Sequence, residues 1–205
     1  MNFESLLQEC PLIAILRGIR PEEVRTVCDI LLEAGIKLLE IPLNSPEALK
    51  SIAIASEHVK DRQLAGAGTV LTPEDVRNVA AAGGSFIISP NTDTSVIRET
   101  KRLGLKSIPG FLTPSEAFSA IAAGADYLKL FPAGGFGTTY IKDLKAVIKV
   151  PIFAVGGVNL ENLEAFLKVC PGAGIGSALY KAGKTPDALR KDAEAFVRTA
   201  KQAVC

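Results

Sequence analysis

Residues 105–131, LKSIPGFLTPSEAFSAIAAGADYLKLF, hold one complete turn of the pattern that decides the fold. The apolar run 105–108 has the length of a buried strand. After a turn, Thr113 supplies a capping hydroxyl, Pro114 stands at the first helical position, and Glu116 faces the positive end of the helix. Phe118, Ile121 and Ala122 recur at helical period and give that helix one apolar stripe. It closes at Ala123-Gly124, because glycine accepts the left-handed conformation past a helix end without a Cβ clash. The second run, 127–131, is again a strand, apolar except for Lys129.

The same unit recurs in both directions. Further strand-length runs stand at 12–16, 38–43, 64–67, 86–89, 152–155 and 173–176, their centres roughly two dozen residues apart. Arg20-Pro21-Glu22, Ser45-Pro46-Glu47, Thr72-Pro73-Glu74 and Thr185-Pro186-Asp187 repeat the helix start, and Gly35, Gly83 and Gly104 repeat the stop. Eight strand–helix units predict an α/β fold of the (β/α)8 TIM-barrel type over residues 1–205 as one domain. Residues 2–10 are expected as a short helix across its bottom. An open doubly wound sheet is the competing architecture. No G-x-G-x-x-G follows the first strand, however, and the even spacing shows no reversal of strand order.

Composition narrows the class of partner. Apolar residues make up 48% of the chain and charged ones 22%, a profile that can bury a substantial core. With 23 Lys+Arg against 22 Asp+Glu the net charge is +1, so no broad field exists to hold nucleic acid or an anionic membrane. A small molecule, with any anion held locally, is the expected partner. The longest uncharged stretch, 78–92, is too short for a membrane span and contains Gly83, Gly84 and Pro90. Glu4 and Glu9 stand where a signal peptide would be basic and then apolar, so the expected location is the cytoplasm. Cys10, Cys28, Cys170 and Cys205 lie far apart with no C-x-x-C, and the chain has one histidine. Neither a zinc site nor a disulfide framework is expected, and no metal or cofactor is called for.

In such a barrel the loops after the strands share one mouth, and polar or glycine-rich residues at strand ends become candidates for chemistry. Those ends carry Arg17-Gly18, Glu40 with Asn44, Gly68-Thr69, Ser89-Pro90-Asn91, Pro109-Gly110-Phe111, Lys129, Gly156-Gly157 and Gly176-Ser177. Lys129 interrupts a strand buried on both faces. It either pairs with a carboxylate to hold the core or loses its charge to desolvation and becomes a neutral amine able to attack a carbonyl. Glu40, in a similar strand, is either the ion-pair partner of Lys129 or Arg17 or a general acid and base. The glycines after the last two strands form either ordinary tight turns or backbone cradles for a phosphate. His58, near the end of a helix, is read as a surface residue, and a lone histidine leaves no serine-type triad or His-rich metal site.

At these residues the chain resembles the 2-keto-3-deoxy-6-phosphogluconate aldolases and their 6-phosphogalactonate relatives. Residues 124–137, GADYLKLFPAGGFG, match the family's Schiff-base signature at each fixed position, and 11–19 (PLIAILRGI), 39–46 (LEIPLNSP), 66–70 (GAGTV) and 153–158 (FAVGGV) extend the likeness to about residue 183. The resemblance implies a cofactor-independent class I aldolase, an aldehyde-lyase. It would split a 2-keto-3-deoxy-6-phosphosugar acid into pyruvate and glyceraldehyde 3-phosphate. Lys129 would carry the Schiff base and Glu40 relay protons. Gly156, Gly157, Gly176 and Ser177 would hold the phosphate, and Pro90, Phe131 and Val155 would complete the substrate site. A homotrimer is also implied. The gluconate branch usually carries Glu-x-x-x-Arg on strand 2 and Thr-Gly-Gly after strand 7, whereas this chain has Asn44 and Val155 at those places, the galactonate pattern. Without the strand 2 arginine, Arg17 with Thr69 is assigned to the substrate carboxylate, the phosphate being the other anion within Arg17's range. Two rivals stay open: a phosphosugar isomerase or decarboxylase in which Lys129 never becomes covalent, and a non-enzymatic phosphosugar-binding barrel.

Overall fold

The computed structural model describes residues 2–204, so Cys205 lies outside the described residues. Nine parallel strand segments occur among them: β1 (Leu12–Ile15), β2 (Leu38–Pro42), β3 (Leu64–Gly68), β4 (Phe86–Ile88), β5 (Lys106–Ile108), β6 (Gly110–Phe111), β7 (Leu128–Leu130), β8 (Ile152–Val155) and β9 (Ala173–Ile175). Their order around the sheet is β5-β4-β3-β2-β1-β9-β8-β7-β6. Helices alternate with them: α1 (Phe3–Glu9), α2 (Val24–Ala34), α3 (Ala48–His58), α4 (Pro73–Ala81), α5 (Thr94–Arg102), α6 (Pro114–Ala122), α7 (Gly137–Lys145), α8 (Leu163–Leu167) and α9 (Pro186–Val204).

The ninth segment is half of a barrel strand. Pro109 has no N–H to give to a ladder and separates β5 from β6. The first half pairs with β4, and the second pairs with β7, where the Lys129 N–H donates to the Pro109 carbonyl at 2.9 Å. The kinked strand thereby bridges the two ends of the sheet and gives the eight-fold barrel expected from the repeats. Strand ends differ from the expected ones by a residue or two. Among the described residues, no helix is long and apolar enough to cross a membrane.

Every strand is buried on both faces, and the two-residue period sorts its side chains. Leu39, Ile41, Leu128 and Leu130 point outward under the helices. Ile13, Ile15, Leu38, Phe86, Ile88, Tyr127, Phe153 and Val155 point into the barrel, where Phe3, Leu6 and Leu7 of α1 meet them. The helix expected at residues 2–10 therefore closes the barrel floor. Phe3 lies 5.4 Å from both Phe86 and Tyr127 and 6.5 Å from Phe153, centroid to centroid, and Tyr127 meets Phe153 edge-on at 5.3 Å. Asn2 caps α1 through the Ser5 N–H, and Glu4 ties it to Lys106 of β5 at 2.6 Å.

Thr72 and Thr113 cap α4 and α6 as expected, in capping boxes completed by Asp75 and Glu116, and α9 starts at Pro186. Arg20-Pro21 opens a 3-10 turn (Pro21–Glu23) that runs into α2. The start expected at Ser45-Pro46-Glu47 fails. The helix α3 begins at Ala48, because the Ser45 hydroxyl is committed elsewhere: it accepts the Gly18 N–H at 2.9 Å, and no side chain caps α3.

Phe3 is 2% exposed, and truncating a buried phenylalanine typically costs about 3–5 kcal/mol. Phe3→Ala is therefore expected to lower stability by about that amount in a urea titration; a loss below about 1 kcal/mol would show that α1 is not part of the closed interior.

Candidate active site

The parity that builds the core also places two charged groups in it. On β2 the inward positions are Leu38, Glu40 and Pro42, and along β7 and the residues that flank it the inward series is Tyr127, Lys129 and Phe131. Glu40 is 2% exposed and Lys129 6%. Lys129 lies in register with Phe153, and Glu40 lies in register with Ile15 on one side and Gly66 on the other. Each charged group thus rises directly from the apolar floor. The Glu40 carboxylate lies over Gly68, where a Cβ would stand 1.8 Å from its Oε1, so only glycine fits there.

No ion-pair contact of 4.0 Å or less joins the two groups. Glu40 Oε2 is buried without a hydrogen-bond partner. Burial pushes the Glu40 carboxyl up from its ordinary value, with Lys129 and then Arg17 pulling it back. Burial likewise pushes the Lys129 amine down, opposed by Glu40 and reinforced by Arg17. The Phe131 ring covers the amine from the mouth side, its centroid 4.8 Å from Nζ. A carboxyl with a raised pKa facing an amine with a lowered one, across a gap, is suited to nucleophilic attack and proton relay.

These groups open into a cavity of about 880 Å³ at the C-terminal ends of the strands. Arg17, Glu40, Lys129 and Phe131 share it with Val155, Gly156 and Gly157 after β8 and with Gly176 and Ser177 after β9. Thr69 and Pro90 do not line it. Thr69 follows β3 with φ 55°, a left-handed conformation that strains a β-branched residue. The Pro90 carbonyl packs against Gly110. His58, expected on the surface, lies away from the cavity and bridges α2 and α3 on the outside of the barrel, with Nε2 2.7 Å from Asp29 and Nδ1 3.3 Å from Arg25. Among the described residues no three His, Cys, Asp or Glu side chains cluster as metal ligands.

One wall of the cavity carries backbone N–H groups without protein acceptors. Gly156 and Gly157 take φ 87° and 75° in succession, a pair of left-handed residues that turns their N–H groups away from the ladder. After β9, the N–H groups of Leu179 and Tyr180 both donate to the Gly176 carbonyl at 2.9 Å. That turn leaves the Ser177 and Ala178 N–H groups, like those of Gly156 and Gly157, without a protein acceptor among the described residues. Ala178, Tyr180 and Lys181 also line the cavity and were missed from the sequence. No local signal marked Lys181, because it is the turn bonded back to Gly176 that carries the chain onto the rim.

Comparison with known proteins adds the family. The family model described as "Aldolase: KDPG and KHG aldolase" matches residues 3–191. The 2-dehydro-3-deoxy-6-phosphogalactonate aldolase of Escherichia coli (strain K12) is 46% identical over 197 residues, covering 95% of this chain and 96% of that protein. A solved structure described as native KDPGal superposes with a TM-score of 0.92 at 46% identity, covering 95% and 96% of the two chains. The crystal structure of KDPG aldolase from Legionella pneumophila, with pyruvate captured as a covalent carbinolamine intermediate, superposes with a TM-score of 0.84 at 25% identity and 99% and 98% coverage.

A buried charge without an ion-pair contact costs stability, because its desolvation is not repaid by attraction. Replacing a buried charged pair with groups of similar volume is often neutral or stabilising by about 1–4 kcal/mol. The double variant Lys129→Met/Glu40→Gln is accordingly expected to melt at or above the temperature of the parent protein by calorimetry. A clear drop would make the pair a structural one.

Proposed function

The chain belongs to the KDPG and KHG aldolase family, and from that premise we propose that it is a class I aldolase cleaving 2-dehydro-3-deoxy-6-phosphogalactonate to pyruvate and D-glyceraldehyde 3-phosphate. The observation that carries the reading is the buried, unpaired Lys129 amine at the base of an open cavity. Neutral Lys129 attacks the C2 ketone to give a carbinolamine. Glu40 donates the proton with which water leaves, and a protonated imine remains. The Glu40 carboxylate then removes the C4 hydroxyl proton, the C3–C4 bond breaks, and its electron pair enters the iminium to form an enamine. Glyceraldehyde 3-phosphate departs, Glu40 returns the proton to C3, and hydrolysis of the imine frees pyruvate and the lysine. The lysine is itself the electron sink, so the steps balance without a metal or organic cofactor.

The two substrate anions fit the two polar flanks of the cavity. Arg17 takes the carboxylate beside C2. The unpaired amides of Gly156, Gly157 and Ser177, with Lys181 on the same rim, take the phosphate, which fixes the reacting carbon relative to the amine. Gly176, Phe131 and Val155 complete the lining. Thr69 and Pro90 belong to this proposal only as neighbours that substrate or loop movement would bring into reach. The reading treats residues 1–205 as one aldolase domain of a cytoplasmic homotrimer.

The decisive experiment is covalent trapping. Pyruvate with borohydride is expected to add one reduced pyruvyl group, found by intact mass and located by peptide mapping on Lys129, and Lys129→Arg is expected to abolish it because a guanidinium stays charged. The trapping rate should rise with pH through a midpoint below the ordinary lysine value of 10.5. Labelling of another lysine, or none, overturns the assignment.

Epimer choice follows from Val155. The gluconate and galactonate substrates differ at C4, the carbon whose hydroxyl is deprotonated. Val155, 4% exposed and next to the glycine amides, offers shape without a hydrogen bond. A hydroxyl contact is worth about 0.5–1.5 kcal/mol net, or roughly threefold to tenfold. Val155→Thr is expected to shift the kcat/KM ratio toward the gluconate epimer by that factor, from a starting protein that cleaves the galactonate epimer at least as well. A gluconate preference beyond about tenfold in the unmodified protein would refute the branch assignment and leave the aldolase chemistry standing.

A further inference from the structure

The loop after β2 forms two parallel hydrogen bonds to the loop after β1. Asn44 Oδ1 accepts from Arg17 Nη1 at 2.8 Å, and the neighbouring Ser45 Oγ accepts from the Gly18 N–H at 2.9 Å. On the far side, Gly18 abuts Ala182 of the loop after β9, where a Cβ on Gly18 would come to 3.4 Å. The chain accepts local disadvantages to form this junction. Ser45 does not cap α3, no other side chain does, and Glu47 is left at φ 43°, ψ 44°, a left-handed conformation unfavourable for a residue with a Cβ. Strain of this kind persists where the surroundings impose it and points toward function. Arg17 lines the cavity close enough to Glu40 and Lys129 to shift both, yet its guanidinium is exposed on a flexible stem.

We propose that Asn44 and Ser45 form a latch that holds Arg17 in its substrate-binding pose, Asn44 being a positioning residue for capture of the carboxylate beside the reacting carbonyl. This rests on the aldolase reading of the site. An unheld arginine would lose rotamer freedom each time it bound an anion, and the latch removes that cost beforehand. A neutral acceptor suits the task. A carboxylate at position 44 would hold the guanidinium equally well but cancel the charge the substrate needs.

Two measurements on the full chain separate the latch from the activity. In nuclear magnetic resonance, the Arg17 side-chain N–H signals should be resolved and slow to exchange in the parent protein and in Asn44→Asp, and should be lost in Asn44→Leu. In borohydride trapping, the half-saturating pyruvate concentration should rise about tenfold in Asn44→Leu, with the maximal trapping rate within about twofold of the parent. In an Arg17→Met background the same substitution should change it less than twofold. Asn44 is exposed, so folding is not at stake, and an unchanged melting temperature checks this. Unchanged half-saturation in Asn44→Leu, or an equal rise with Arg17 absent, overturns the proposal. So does an Arg17 signal indifferent to residue 44. If the parent protein traps no pyruvate, the aldolase reading fails on its own, and Arg17 signals that do not depend on Asn44 would then refute the latch separately.

Discussion

The aromatic floor of the barrel is the constraint on which the site depends. Phe3, Phe86, Tyr127 and Phe153 close the interior from below, so Lys129 and Glu40 meet water only through the mouth. An open floor would hydrate both groups and return the amine to its charged form, because it is desolvation that lowers the lysine pKa. Placing an ammonium-bearing side chain beside Phe153 costs stability, and the cost is offset by packing of the floor and not by an ion pair, which does not form. Fold and site therefore use the same residues for opposite ends, apolar contact below and a desolvated amine above.

The strand period then limits where chemistry can be placed. Each inward residue on a parallel strand has its neighbours two positions away on the same strand and in register on the adjacent ones. With Lys129 fixed above Tyr127, the space beside it is set by Gly110 and Phe153, its register partners. Glu40 needs room of its own and obtains it from Gly68 on the next strand. The strand broken at Pro109 completes the ring beside Lys129, so the Lys129 backbone is held by the same irregularity that closes the barrel.

What could be read from the sequence follows the range of the interaction involved. Strand–helix alternation, the Thr72 and Thr113 caps, and the buried strands that carry Lys129 and Glu40 all rest on local periodicity, and the structure places these elements as read. Ser45 misled because the local preference for a helix cap competes with a partner 27 positions away, the Gly18 amide, which no neighbouring residue announces. Thr69 and Pro90 sit at strand ends, as a mouth residue should, but a strand end fixes only the backbone. Left-handed Thr69 and the packing of Pro90 on Gly110 keep both out of the cavity lining. Ala178 and Lys181 were invisible for the converse reason: a turn that bonds back to Gly176 carries residues beyond the strand end onto the rim.

Within the aldolase proposal, Arg17 links the ionisation of Lys129 and Glu40 to the step that breaks a carbon–carbon bond. Its positive charge lowers the pKa of both Lys129 and Glu40, favouring a neutral amine and an ionised carboxylate, the forms required of a nucleophile and a base. Within the aldolase proposal, a substrate carboxylate that pairs with Arg17 cancels that charge at the moment of binding. The nitrogen on Lys129 is then no longer opposed by a nearby cation and gains an anion one carbon away. The positively charged iminium, unfavourable in the empty cavity, becomes the favoured form when electrons from the C3–C4 bond need an acceptor. The same guanidinium thus promotes a neutral lysine before substrate arrives and permits a cationic imine afterwards, which requires that it be held in place and left without a carboxylate partner of its own.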